Sequence, residues 1–127
     1  GTDEIVRWAS PATYFRRTAT KDVEVHGQTI RAGDKVLYWF ASANRDDTVF
    51  DDPYRLDLTR KPNRQLAWGQ GGPHVCLGMH LARLEVRVLF QELCARIKAI
   101  APAGPEAFVR SNFVNGIKRL PVTVTPA

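Results

Sequence analysis

Apolar and polar positions change period several times along this chain. From Leu77 to Lys98, the residues Ala82, Val86, Leu89, Leu93 and Ile97 recur at helical spacing. Leu81, Leu84, Val88 and Phe90 widen that stripe, so this helix is expected to be buried on several sides, with Pro102, Gly104 and Pro105 ending it. A shorter helix is predicted from Thr2 to Trp8. It spans about two turns before Ser10-Pro11 stops it, and a helix that short is marginal without tertiary support.

Between the helices the period falls to two. Val23-Glu24-Val25 alternates, His26-Gly27 reads as a turn, and Thr29-Ile30 resumes the alternation. Ala32-Gly33-Asp34 is a second turn. The run Lys35 to Phe40 (KVLYWF) is dense in apolar and aromatic residues and is expected to be a buried strand. Ser42 to Asp47 predicts a short helix. From Phe50 to Trp68 both periods fail, and a long irregular segment is usually retained for function. Phe108 to Val124 alternates around Asn115-Gly116 and predicts a hairpin.

Composition narrows the function classes. The 127 residues are 44% hydrophobic and 24% charged, an ordinary balance for one globular unit. The formal charge is +5, but the cations are scattered and no basic run is interleaved with aromatics. A solvated surface or a face for an acidic protein is expected, rather than a nucleic-acid site. No apolar run is long enough to span a membrane. Cys76 and Cys94 form no C-x-x-C pair and are read as thiols in a reducing cytoplasm. Cys94 shares the apolar helix with Phe90 and Ile97, and core packing is expected for it. With His26 and His80 the cysteines lack zinc-ligand spacing.

The stretch Trp68-Gly69-Gln70-Gly71-Gly72-Pro73-His74-Val75-Cys76-Leu77-Gly78 carries the most chemistry. It places a cysteine at the start of the long helix, where the helix dipole and unpaired N–H groups favour thiolate over thiol. Glycines such as Gly69, Gly72 and Gly78 let backbone pass close to a flat, bulky ligand. Trp68 is expected to shield the sulfur from water. The alternative is a tight turn in which Cys76 is a small buried hydrophobe.

These residues resemble the cytochrome P-450 family of haem-thiolate monooxygenases. Glu4-Ile5-Val6-Arg7 is similar to that family's E-x-x-R helix motif, Pro53-Tyr54-Arg55-Leu56 to its P-x-R-x motif, and the Cys76 loop to its haem-binding signature. The three occur in the family's order, and the likeness runs along the whole chain. The resemblance implies an α+β fold: the C-terminal portion of the cytochrome P-450 fold, with residues 1–127 as the haem-binding part of a larger single-domain monooxygenase. It implies haem (iron protoporphyrin IX) with Cys76 as its proximal ligand, a thiolate that pushes electron density to the iron and favours O–O cleavage. Glu4, Arg7 and Arg55 would form a buried ion network in which one carboxylate serves two guanidiniums. Their alternative is a set of solvated surface charges. Arg17 and His74 are similar to the family's propionate partners, against a strand-edge charge and a backbone-bonded loop histidine. Thr13, Tyr14 and Phe15, with Asn112, Phe113 and Val114, fall at substrate-lining positions, and ordinary packing explains them equally well.

The chain departs from the family pattern at Gly69, which stands where phenylalanine is usual, with Trp68 one residue earlier. This lengthened loop and the tail Arg110 to Lys118 resemble actinobacterial members acting on sterols or branched lipids. The resemblance implies insertion of one oxygen atom of O₂ into a C–H bond of a small hydrophobic substrate. It implies electrons from a ferredoxin-type redox partner, with Arg83 and Arg87 as docking cations. Nothing in the chain corresponds to the family's oxygen-activating helix, so these residues alone are expected to be inactive. Two other readings stay open: a module that binds or senses haem, and a haem-free chain that self-associates through its apolar helix.

Overall fold

The computed structural model describes residues 1–127. In chain order the elements are α1 (Thr2–Ala9), β1 (Tyr14–Thr18), β2 (Val23–Val25), β3 (Gln28–Ile30), β4 (Lys35–Trp39), α2 (Phe40–Ala43), α3 (Met79–Arg96), β5 (Ile97–Pro102), β6 (Ala107–Phe108), β7 (Ile117–Arg119) and β8 (Val122–Pro126). The strands form four two-stranded antiparallel sheets, β1–β4, β2–β3, β5–β8 and β6–β7. β2 and β3 close through His26 and Gly27, both at positive φ as a primed two-residue turn requires.

Several boundaries differ from the sequence expectation. The long helix ends at Arg96, and Ile97 to Pro102 leave it as a strand paired with β8. Pairing gives these backbone groups partners, and the residue before Pro102 disfavours helix in any case. The expected tail hairpin is confined to β6 and β7, where Phe108 faces Ile117. The short helix starts at Phe40, two residues early, and stops at Ala43. Lys35 to Trp39 is a strand as expected but not a buried one, since Leu37, Tyr38 and Trp39 are all exposed. Only Phe40, at the start of α2, is enclosed. None of the residues of α3 is buried, so its wide apolar surface is uncovered within these residues, and Cys94 is exposed rather than core.

What is buried is mostly polar. Val6, Phe40 and Phe50 are the enclosed hydrophobes, while Glu4, Arg7, Ser10, Asn44 and Gln65 are buried beside them. The centre is the Arg7 guanidinium, which is fully enclosed. Its Nε donates to Glu4 Oε2 at 2.7 Å and its Nη2 to Glu4 Oε1 at 2.8 Å. Arg7 Nη1 donates to the carbonyls of Asn44 at 2.6 Å and Pro53 at 2.8 Å, and Nη2 to that of Arg55 at 3.1 Å. All five bonds leave one side chain, and three of them reach more than thirty residues along the chain. Glu4 in turn accepts from the Asp57 N–H at 3.0 Å and from Asn63 Nδ2 at 2.9 Å. The second guanidinium on Glu4 is that of Arg60, 3.3 Å away, and not that of Arg55. Arg55 contributes its carbonyl and leaves its side chain exposed. Arg60 also donates to the carbonyls of Asp51 and Asp52, which closes the segment on itself.

This hub explains why an eight-residue helix is stable and why the aperiodic segment is ordered. Residues 51–63 have no ladder of their own, so their backbone groups bond to buried charges instead. Phe50 completes the packing, with Arg7 5.1 Å and Arg60 5.9 Å from its ring centroid. α1 stops at Ser10, which is left-handed at φ 39. Its hydroxyl donates to the Arg7 carbonyl and accepts from Asn44 Nδ2.

Two outcomes follow. Arg60→Ala should destabilise the protein by about 2 kcal/mol by removing a partner from a buried charge. Arg55→Ala should stay within about 0.5 kcal/mol. Denaturant midpoints of the two variants check the order, and a larger loss for Arg55 would refute it. The second outcome concerns pH. Burial alone pushes the Glu4 carboxyl up, but the hydrogen bonds from Arg7, the Asp57 N–H and Arg60 outweigh it and hold its pKa at about 2, below the ordinary 4.5. A depressed carboxylate pKa stabilises the fold above the ordinary value, and that contribution is lost as pH falls towards the folded one. Stability should therefore drop by about 3 kcal/mol between pH 5 and pH 2 through this group. Glu4→Gln should flatten that part of the unfolding-versus-pH curve.

Candidate functional site

The Cys76 loop is built from turns that only its glycines allow. Gly69, Gly71 and Gly72 all have positive φ, between 67° and 83°. The Gly69 N–H donates to the Leu66 carbonyl at 2.8 Å, and the Cys76 N–H reaches back to the Trp68 carbonyl at 2.8 Å. The loop is thus closed at its neck, and Cys76 is held by its own backbone. The Cys76 carbonyl accepts from the Met79 N–H at 3.2 Å, which leads into α3. That helix begins two residues later than expected, with Gly78 as its N-cap, so Cys76 precedes its first turn. The thiol is free and half-buried.

One cavity of about 320 Å³ opens beside this loop. Its lining brings together Arg17 from β1, Tyr38 from β4, Phe40, His74, and the glycines Gly69 and Gly71. Arg17 and His74 are therefore neighbours across one space although the sequence separates them widely. The Arg17 guanidinium lies 5.5 Å from the Tyr38 ring centroid and donates only to the Arg16 carbonyl, so it keeps donors for an anion. A Cβ on Gly71 or Gly72 would meet nothing within 4 Å, which marks open space against the loop. A Cβ on Gly78 would stand 4.0 Å from the Cys76 sulfur. The cavity offers glycines, the aromatic rings of Tyr38 and Phe40, an arginine and a histidine. The half-buried Cys76 thiol lies on the same loop though not on the cavity lining, and the residue types fit haem.

A larger cavity of about 480 Å³ lies at the N-terminal turn of α1, lined also by α3 and residues from 58–63. Its lining is mainly polar and includes Arg60, Lys61, His80, Arg83 and Arg87. Its two acids, Asp3 and Glu4, are already bonded to arginines.

Asp3, which no motif singles out, gathers several donors. Its Oδ1 accepts from Trp68 Nε1 at 3.2 Å, Arg83 Nε at 3.0 Å, Arg83 Nη2 at 2.8 Å and Gln65 Nε2 at 3.3 Å. Burial pushes this carboxyl up, but the Arg83, Trp68 and Gln65 donors prevail and hold it below the usual range. Trp68, expected to shield the sulfur, is turned by its indole N–H towards Asp3. Arg83, expected as a docking cation, is paired with Asp3. The signal was present in the sequence, since an acid in the first turn of a helix seeks donors, but spacing does not say which arginine or indole supplies them.

The six substrate-lining candidates come from two segments that do meet. The Thr13 N–H donates to the Phe113 carbonyl at 2.9 Å, and Ala12 bridges Val114. Phe113 packs edge-on against Tyr14 at 6.1 Å and Phe15 at 5.6 Å between centroids. Asn112 is exposed.

Residues 2–106 match the family described as Cytochrome P450. The chain is 51% identical over 121 residues to a methyl-branched lipid omega-hydroxylase of Mycobacterium tuberculosis, covering 95% of this chain and 28% of that protein. It is 46% identical to a linalool 8-monooxygenase of Pseudomonas putida, over 98% of this chain and 30% of that protein. Among solved structures, a Mycobacterium marinum cytochrome P450 in complex with pseudoionone superposes with a TM-score of 0.91 at 48% identity, over 96% of this chain and 29% of that one. The chain thus spans under a third of the length of these relatives, and its fold is the C-terminal portion of theirs. A match that runs over most of the chain, at identities near one half and with the backbone superposing, makes this chain a member of the cytochrome P450 family.

Proposed function

We propose that the chain is the haem-binding part of a single-domain haem-thiolate monooxygenase, with Cys76 as the iron ligand. The observation that carries this is the half-buried Cys76 thiol held at the closed neck of a glycine loop, beside a cavity lined by both Arg17 and His74. Haem, when bound, supplies the activation of O₂ and the insertion of one of its oxygen atoms into a C–H bond.

The chain's own residues do the rest. Cys76 would hold the iron through its sulfur, with the glycines leaving room for the macrocycle. Arg17 and His74 would pair with the propionates, which neutralises carboxylates drawn partly out of water. Trp68, Gly69, Gly72 and Gly78 shape the loop around the ligand. Glu4, Arg7 and Arg60 fix residues 51–63 and, through Asn44, the N–H of Leu66 at the foot of that loop. Tyr14, Phe15 and Phe113 offer an aromatic wall for a small hydrophobic substrate, with Thr13, Asn112 and Val114 at its margin.

The relatives' names point to methyl-branched lipids and terpenes as the substrate class. Electrons would come from a ferredoxin-type partner in the cytoplasm. Arg87 and Lys61, which have no acidic partner, are better docking cations than Arg83, which has one. No helix is long and apolar enough to cross a membrane. The uncovered apolar surface of α3 favours a second reading for the isolated 127 residues, that they self-associate.

In the full-length protein, the reduced, carbon-monoxide-treated sample should show the strongly red-shifted Soret band of thiolate ligation. Cys76→Ala should abolish it, and an unchanged spectrum in that variant would end the proposal. Arg17→Ala and His74→Ala should each weaken haem retention by about ten-fold, corresponding to one lost charge-assisted hydrogen bond. Haem transfer to an acceptor protein measures this. The isolated chain should elute from size exclusion as an oligomer; a stable haem-free monomer would count against the second reading.

A further inference from the structure

The contacts of Trp68 join two parts of the molecule that the motifs describe separately. Its carbonyl accepts the Cys76 N–H at 2.8 Å, while its indole N–H donates to Asp3 on α1 at 3.2 Å. The residue is therefore pinned at both ends: main chain to the sulfur loop, side chain to the helix of the buried ion hub. We propose that Asp3 is a positioning residue for the Cys76 loop, acting on the cysteine through the Trp68 indole.

Three observations support this over a simple clamp between α1 and α3. First, Asp3 Oδ1 gathers donors from Gln65 and Trp68 in the loop approach as well as from Arg83 on α3. A clamp would need only Arg83. Second, the Asp3–Arg83 pair is well exposed, at 40% and 36% of side-chain surface, so screening leaves it little weight in overall stability. What the converging donors fix is orientation. Third, Gln65 is buried and tied twice, its Nε2 to Asp3 and its Oε1 to the Ala67 N–H at 2.7 Å, so the backbone entering Trp68 is oriented from the same carboxylate. The Arg83 guanidinium lies 5.9 Å from the Trp68 ring centroid and closes the set. A phenylalanine at position 68 would keep an aromatic ring there but offer Asp3 no donor.

This deepens the haem-thiolate reading and rests on it for its spectral readout, but the coupling itself is measurable without iron. The test is a double-mutant cycle of Asp3→Ala and Trp68→Phe in the full-length protein, with amide hydrogen exchange at Cys76 as the first readout. Each single variant should accelerate exchange at that amide by about ten-fold, the weight of one hydrogen bond to a charged group. The double variant should go no further than either alone, and Asp3→Asn, which keeps an acceptor for the indole, should lie close to the parent protein. In the haem-loaded protein, Asp3→Ala, Trp68→Phe and the double variant should lower the thiolate-ligated share of the carbon-monoxide complex, again without additivity. If the two substitutions add in full, or if Trp68→Phe leaves the Cys76 amide as protected as before, Asp3 acts only as an α1–α3 clamp and the proposal is overturned. Trp68→Phe keeps an aromatic side chain while removing the donor, so it decides the matter even if Asp3→Ala fails to fold. A parent protein lacking the thiolate band would sink the haem-thiolate reading alone, since the amide cycle still tests the coupling.

Discussion

A charge pair, not an apolar core, holds these residues together. Arg7 and Glu4 are both withdrawn from water, and the cost of doing so is several kcal/mol per ion unless every donor and acceptor is used. Here Arg7 makes five hydrogen bonds, and Glu4 accepts from Arg7, Arg60, Asn63 and the Asp57 N–H. The geometry is one that lysine cannot copy, because only a planar fork reaches a carboxylate and three carbonyls at once. The pair contributes less to net stability than to uniqueness. A backbone with no ladder, residues 51–63, has one arrangement in which its carbonyls and N–H groups meet these charges.

Glu4 and Arg7 were legible in the sequence because three residues along a helix bring side chains onto one face. The third member was not. Arg55, Arg60 and Arg64 all lie in the aperiodic segment, and no period says which of them folds back. The motif pointed to Arg55; the structure uses its carbonyl and takes the guanidinium from Arg60. That difference is a matter of turn geometry, including the positive φ at Asp52, which pattern does not encode. The helices, the β2–β3 hairpin and the Cys76 loop were all anticipated, since periodicity and turn chemistry are local properties. The β5–β8 pairing was not, because it joins segments about twenty residues apart and cuts the apolar helix short.

Burial was the least legible property. The stripe of α3 and the KVLYWF strand both read as core, yet Leu77, Leu81, Leu89 and Trp39 are exposed. Hydrophobic pattern reports what a surface needs, not whether the residues at hand supply it. The relatives that this chain matches are more than three times its length. Arg17 and His74 meet across one cavity because glycine turns shape the loop and one antiparallel pair, β1–β4, carries Arg17 to it.

Asp3 and Glu4 are consecutive, so they leave α1 about 100° apart. Glu4 faces residues 51–63, and Asp3 faces Trp68 and α3. A single helical turn therefore references two otherwise independent loops to one rigid body. The two carboxylates differ in kind: Glu4 is sealed, and Asp3 is half exposed. Loss of the first removes the order of the segment that supports the site. Loss of the second should cost less stability, because its ion pair is exposed, and act mainly on the aim of the loop. Stability and orientation are thus carried by neighbouring residues with separate partners, which lets the sulfur be tuned without endangering the chain that presents it.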